Sequence, residues 1–290
     1  MSEHNLTLDE FLSRFPTEED CANYLFQVKW PHGFVCPRCS HHQAYKTSTR
    51  RLPIYECTQC RHQTSLTVGT VMEGSRTALR KWLTALFLVS HDLCGISALK
   101  LSKIINVTYK TAWLMLHKIR HAMSDADASI LLSGLVHVND ACYGKPYNST
   151  WNKHPQEHPL LVGATLNDRE EPVYIKMKLL PAKQLKKRYI HRVGRDEFVK
   201  QYVQSGSTKV KFTLGRYISQ KAKKLFPHFA NANRWINQTF HGLGPRYLQA
   251  YFNEFCYRLN RKLQKASIFE SLANLCMSSQ RITYAALTRW

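Results

Sequence analysis

Cys36-Pro37-Arg38-Cys39 and Cys57-Thr58-Gln59-Cys60 are two C-x-x-C pairs separated by seventeen residues. Each pair can bring two thiolates onto one ion. A hairpin between the pairs would return the chain to complete a tetrahedral site of four cysteines, the soft ligand set that suits Zn²⁺. The hairpin is legible as basic Arg50-Arg51 followed by a returning strand over Leu52–Glu56. A unit this small cannot bury a core of its own, so the metal would supply much of its folding energy. Structural zinc on Cys36, Cys39, Cys57 and Cys60 is therefore expected. The other five cysteines, Cys21, Cys94, Cys142, Cys256 and Cys276, read as ordinary core thiols.

The charge balance points to a polyanionic partner. Lys and Arg number 41 against 20 Asp and Glu, and after Glu197 the acids are Glu254 and Glu270 alone. Such an excess suits double-stranded DNA, because each phosphate neutralised releases condensed counterions. Gly95–Ser102 opens a helix that breaks near Ile105-Asn106, and Thr108–Trp113 begins another that runs through Lys118 and Arg120. In a helix-turn-helix the first residues of the second helix enter the major groove. Ser97, Lys100, Tyr109, Lys110, Thr111, Lys118 and Arg120 are the candidate DNA-contacting residues, with Trp113, Leu116 and Ile119 facing a core. An all-helical linker with a solvated basic face is the competing reading.

The elements that must position these residues follow from periodicity. Leu8, Phe11, Leu12 and Phe15 predict one helix over Leu6–Tyr24, and another is expected over Thr77–Ser90. Ser124–Ser133 reads as a linker. Beyond it Leu135–Tyr143, Leu160–Asn167, Pro172–Leu180 and Thr208–Leu214 are strand-like, Arg195–Gln204 is helical, and Arg246–Lys262 is a strongly amphipathic helix. The expected domains are a helical segment (1–29), a zinc ribbon (30–72), a helix-turn-helix region (73–124) and an α/β domain with C-terminal helices (134–290). The chain is thus read as multidomain α+β. Trp82–Leu93 is too short an apolar stretch to span a bilayer, so no membrane is expected. The N-terminus carries no secretory signal, which points to the cytoplasm and away from a disulfide framework.

Several segments resemble the IS1595 family of insertion-sequence transposases. These are Phe15-Pro16, Trp30–Cys39, Gln63–Thr70, Lys110–Trp113 with His117–Arg120, His241-Gly242, Tyr247–Tyr251, Asn253–Phe255 and Arg258–Arg261. The resemblance implies binding to element ends, and a ribonuclease-H-like DDE-type domain. The strand and helix order fits that core, as it fits other α/β folds. Homo-oligomerisation on DNA is left open.

The chemistry implied by the resemblance needs two Mg²⁺ held by carboxylates. In the subgroup most resembled the pattern is Asp, Asp and Asn, with a nearby Lys. The first Asp is replaced by Asn139 in Val136–Tyr143, and the adjacent Asp140 would point to the opposite face of a strand. The second falls in Phe212–Arg216 on Thr213 or Leu214, neither acidic. Asn231 keeps the third position, and Asn233 stands where the Lys would be. Asn139, Asp140 and Asn231 are thus degenerate catalytic positions. The expectation is a DNA-binding protein with crippled strand transfer and no good Mg²⁺ site. The alternatives are an Mg²⁺-dependent nuclease using displaced acids such as Asp140 and Asp168, and a non-catalytic DNA-binding regulator.

Overall fold

Proline decides the first elements. Pro16 cannot continue a helix through Phe15, and Thr17 restarts one, so the helix expected over Leu6–Tyr24 is two: α1 (Leu8–Arg14) and α2 (Glu18–Lys29). Both open with a capping box, Thr7 with Glu10 and Thr17 with Asp20. A computed structural model of the chain describes residues 6–47, 51–91, 95–144, 155–186, 189–207, 209–215 and 223–288. Arg50, Leu93, Cys94, Thr208 and Arg216, named above, lie outside them.

The chain divides into two units, Met1–Ala122 with Ser267–Trp290, and Met123–Ala266. In the first, β1 (Ala44–Thr47), β2 (Ile54–Cys57) and β3 (Gln63–Ser65) form an antiparallel three-stranded sheet. Helices α3 (Leu79–His91), α4 (Ala98–Ile104) and α5 (Tyr109–Ser129) follow. Glu18 of α2 caps α3 by accepting the N–H groups of Leu79 and Arg80 at 2.8 and 2.9 Å. Phe11 stacks on Phe87 at 4.3 Å.

The unit's core is completed from the far end of the sequence. Helix α9 (Ile268–Ser278) packs against α2 and α3 and buries Phe269, Leu272, Ala273, Cys276 and Met277. Fully burying one large apolar side chain stabilises by about 1.5–3 kcal/mol, so α9 is integral to this core. The expectation of a single domain over 134–290 is corrected accordingly: residues from Ser267 onward belong to the N-terminal unit. The short α10 (Tyr284–Thr288) has no buried residue.

The second unit holds a four-stranded sheet of β4 (Leu135–Tyr143), β5 (His158–Leu166), β6 (Pro172–Leu179) and β9 (Lys209–Thr213). The order is β6-β5-β4-β9, antiparallel except that β9 runs parallel to β4. Helix α6 (Arg192–Tyr202) covers one face, where Phe198 packs with Val136, Val138 and Leu161. Gly163 permits this approach, since a Cβ there would lie 2.7 Å from the Phe198 ring. On the other face α7 (Phe226–Phe240) and α8 (Pro245–Leu263) enclose Leu160, Val162, Ile175 and Met177 with Trp235 and Phe252. A two-stranded ribbon, β7 (Leu185–Lys186) with β8 (Tyr189–Ile190), precedes α6. The supposed linker after Ser124 is helical as far as Ser129, because α5 continues through it.

Two features of this unit were not read from the sequence. Asp127, near the end of α5, is buried with Lys176 and Lys178 of β6, its carboxylate 3.3 and 2.5 Å from their ammoniums. Side chains of α8 also close the outer edge of β6. The Asn260 amide bonds both N–H and C=O of Ile175 at 2.8 and 2.9 Å. Gln249 accepts from Leu179 N–H and donates to Met177 C=O, each at 2.8 Å. The edge groups that would otherwise template a further strand are thereby satisfied. No helix among the described residues is long and apolar enough to cross a membrane.

Candidate metal centre and the strand-end cluster

The two cysteine pairs adopt matching turns. Cys36 N–H donates to His41 C=O at 2.9 Å, and Cys57 N–H to His62 C=O at 3.0 Å. Ser40 N–H donates to Cys36 C=O, and Arg61 N–H to Cys57 C=O. Ser40 and Arg61 take the left-handed conformation that closes each turn, with φ of 60° and 57°. The pairs face one another, so that all four sulfurs lie within 4.8 Å. Cys36 and Cys60 are 3.6 Å apart, as are Cys39 and Cys57. Zinc–sulfur bonds of about 2.3 Å in a tetrahedron require sulfurs about 3.8 Å apart, so these residues fit Zn²⁺. Burial opposes ionisation of Cys36, but N–H groups of Cys39 and Arg38 directed at its sulfur prevail and bring the thiol to about 7. Among the described residues this is the one cluster of three or more such ligand groups.

Helices α4 and α5 are joined by a turn over 105–108 in which Asn106 is left-handed, φ 48°. The Lys81 ammonium braces that turn through Asn106 C=O at 2.8 Å. Ser97 caps α4 by accepting Lys100 N–H, and Thr108 accepts Thr111 N–H at 3.2 Å. Lys100, Tyr109 and Lys110 are exposed, while Thr111 is half-buried with its hydroxyl against that of Thr108. Lys110 lies 5.0 Å from the centre of the Tyr284 ring, and Trp113 meets the same ring edge-on at 6.0 Å. Lys118 and Arg120 do not belong with this exposed group. Both are buried, and the Lys118 ammonium donates to the carbonyls of Val71 and Glu73 at 2.8 and 3.2 Å.

At the middle of β4 and the end of β9, Asn139 stands opposite Thr213 in register. Asn139 is buried and fully engaged. Its Nδ2 donates to Thr213 C=O at 3.3 Å, and its Oδ1 accepts Leu225 N–H at 2.9 Å. His137 Nε2 meets the Thr213 hydroxyl at 2.8 Å, which places His137, Asn139 and Thr213 on one face. Leu214 packs with the Phe198 cluster on the other face. Asp140 is also committed, to the Lys223 ammonium at 2.8 Å and to Gly215 N–H at 3.2 Å. Lys224 pairs with Glu170. Burial, followed by the nearby Lys211 and Lys224 ammoniums, holds His137 below its usual value. Asn231 is exposed on α7, Asn233 contacts Asn237 at 3.1 Å, and Asp168 is exposed in the turn between β5 and β6. Among the described residues this cluster offers amide, hydroxyl, imidazole and ammonium groups with Asp140 already ion-paired, a donor set that does not suit Mg²⁺.

Residues 16–63 match the transposase zinc-ribbon domain. Over 113 residues the chain is 30% identical to an uncharacterised protein in transposable element ISH50 of Halobacterium salinarum. That similarity covers 39% of this chain and 38% of the relative's length. No solved structure matches the chain.

The zinc ribbon is seated by residues that sequence reasoning missed. Trp30, Phe34 and Tyr55 pack ring against ring within 6 Å behind the cysteines. The segment leaving the ribbon, residues 66–73, is gripped by two lysines. Lys29 donates to Leu66 and Val68 carbonyls at 2.9 and 2.5 Å, and Lys118 to those of Val71 and Glu73. Burial lowers the Lys29 ammonium to about 8. Val71 N–H donates to Cys276 C=O of α9 at 3.1 Å, and Arg281 pairs with Glu73 at 3.2 Å. The Gln63–Thr70 motif was legible as a pattern, but its anchoring partners are too distant in sequence for spacing to find.

Proposed function

We propose that this chain is a double-stranded-DNA-binding protein descended from an IS1595-type transposase and unable to perform Mg²⁺-dependent strand transfer. The zinc ribbon and the α4–α5 pair, acting as a helix-turn-helix, make the DNA contacts. Lys100, Tyr109 and Lys110 face the groove, with Ser97 and Thr108 holding the helix starts. The antiparallel β4–β6 with a parallel β9 is compatible with a ribonuclease-H-like core, as the motif resemblance implies. What carries the loss of catalysis is one observation: Asn139 uses both atoms of its amide on backbone groups, and Asp140 is held by Lys223 and Gly215.

Displaced acids do not favour the enzyme reading, because Asp140 is paired with Lys223, Asp168 lies in an exposed turn, and Glu170 of that turn is paired with Lys224. The test combines binding and cleavage on the same zinc-loaded protein. DNA binding that weakens steeply with salt, is reduced in Lys110→Ala, and is accompanied by no Mg²⁺- or Mn²⁺-dependent cleavage or joining is the expected result. Metal-dependent cleavage abolished by Asp140→Ala would overturn it.

A further inference from the structure

The strand-end cluster is bordered by positive charge. Between positions 209 and 224 the sequence holds six basic residues, Lys209, Lys211, Arg216, Lys221, Lys223 and Lys224, and no acid. Three relationships show how the described lysines are used. Lys223 is nine-tenths buried and neutralises Asp140, the acid that would repel a phosphate. Lys224 pairs with Glu170 across an exposed contact, with side chains 50% and 58% accessible, and such pairs yield readily to a competing anion. Lys211 is exposed, lies opposite His137 in register, and forms no ion pair among the described residues. It therefore shares the face of Asn139 and Thr213.

We propose that the end of β9 and the adjoining middle of β4 bind a DNA phosphodiester directly on lysine ammoniums, chiefly Lys211 and Lys224, without a divalent cation. In a two-metal site the cations lie between protein carboxylates and phosphate. Here the protein supplies the positive charge itself, so the surface holds the backbone without the cations that would activate a water. This inference rests on the reading of the chain as a DNA-binding protein and assigns its sheet unit a share of that binding.

The test uses the full-length zinc-loaded chain and a short labelled duplex, in buffer free of divalent cations and of chelator. Binding is followed by fluorescence anisotropy across a salt series. The slope of log affinity against log salt falls by about one to two in the Lys211→Gln, Lys224→Gln double variant, as expected for one or two lost phosphate contacts. The double Arg variant retains the parent slope, and added Mg²⁺ weakens the parent by competing for phosphate. An unchanged slope in the double Gln variant, or parent affinity that rises with Mg²⁺, overturns the proposal. Two failures remain distinguishable. A parent that binds no DNA refutes the underlying reading, whereas binding that depends on Lys110 but not on Lys211 and Lys224 refutes this inference alone.

Discussion

Asn139 and Thr213 stand opposite one another on parallel strands, and the Asn139 amide donates to the Thr213 carbonyl at 3.3 Å. The register singles out Thr213, rather than Leu214, as the position facing Asn139. Asn139→Asp with Thr213→Asp should create a carboxylate pair that is destabilised without metal by like-charge repulsion and recovered by Mg²⁺. The expected readout is a Mg²⁺-dependent rise in Tm in this double variant and in neither single one. Pairing Asn139→Asp with Leu214→Asp should instead cost roughly 2 kcal/mol or more, whatever the metal, by placing a charge against the Phe198 cluster.

Metal analysis of the protein purified without chelator should give one Zn²⁺ per chain. Cys57→Ser should lose it, along with ordered structure in β1–β3, because the ribbon's aromatic core is too small to persist alone. Full zinc occupancy in that variant would exclude the four-cysteine site.

Acid should destabilise the N-terminal unit through His117. Burial, aided by Arg120, lowers its pKa to about 3 from an ordinary 6.5. Between those values the unfolded chain binds a proton that the folded chain refuses, so stability is intact above 6.5 and falls as pH drops towards 3. The slope is at most about 1.4 kcal/mol per pH unit. His117→Phe keeps the ring beside Trp113, which lies 4.1 Å away, and should flatten the pH profile. Zinc loss affects both proteins alike, so the difference in Tm between them across pH isolates the histidine.

Asn260→Ala should cost about 2–3 kcal/mol in urea denaturation, since it strands both backbone groups of Ile175 at a covered sheet edge. Asn260→Gln, with the amide displaced by one methylene, should restore little of this.

Local signals were read well and distant ones were not. The cysteine pairs appeared in the sequence because their chemistry lies in spacing alone. Strands β4, β5 and β6 appeared because Val, Ile and Leu cluster over short runs. Pro16 marked a break that the continuing apolar period through Phe15 concealed. Helix α7 begins at Phe226-Pro227 with proline at its first turn and a polar middle, so only its Asn231 segment was noticed. Lys118 and Arg120 carried the right charge for DNA, but charge does not announce burial, and Lys118 finds its carbonyl partners 45 and 47 residues away. The amphipathic pattern of Arg246–Lys262 gave the helix but not the task of Gln249 and Asn260, which depends on the sheet edge they meet.

Helix α9 also fixes an order of events during synthesis. The Phe11–Phe87 core is complete only when Phe269 reaches Phe11, 5.2 Å between ring centres, and Cys276 accepts from Val71. A growing chain emerges N-terminus first, so the core that α1 and α3 share with α9 stays incomplete until the whole sheet unit has been made. A chain cut short anywhere within the sheet unit thus lacks α9 and leaves the core around Phe11 and Phe87 unfinished.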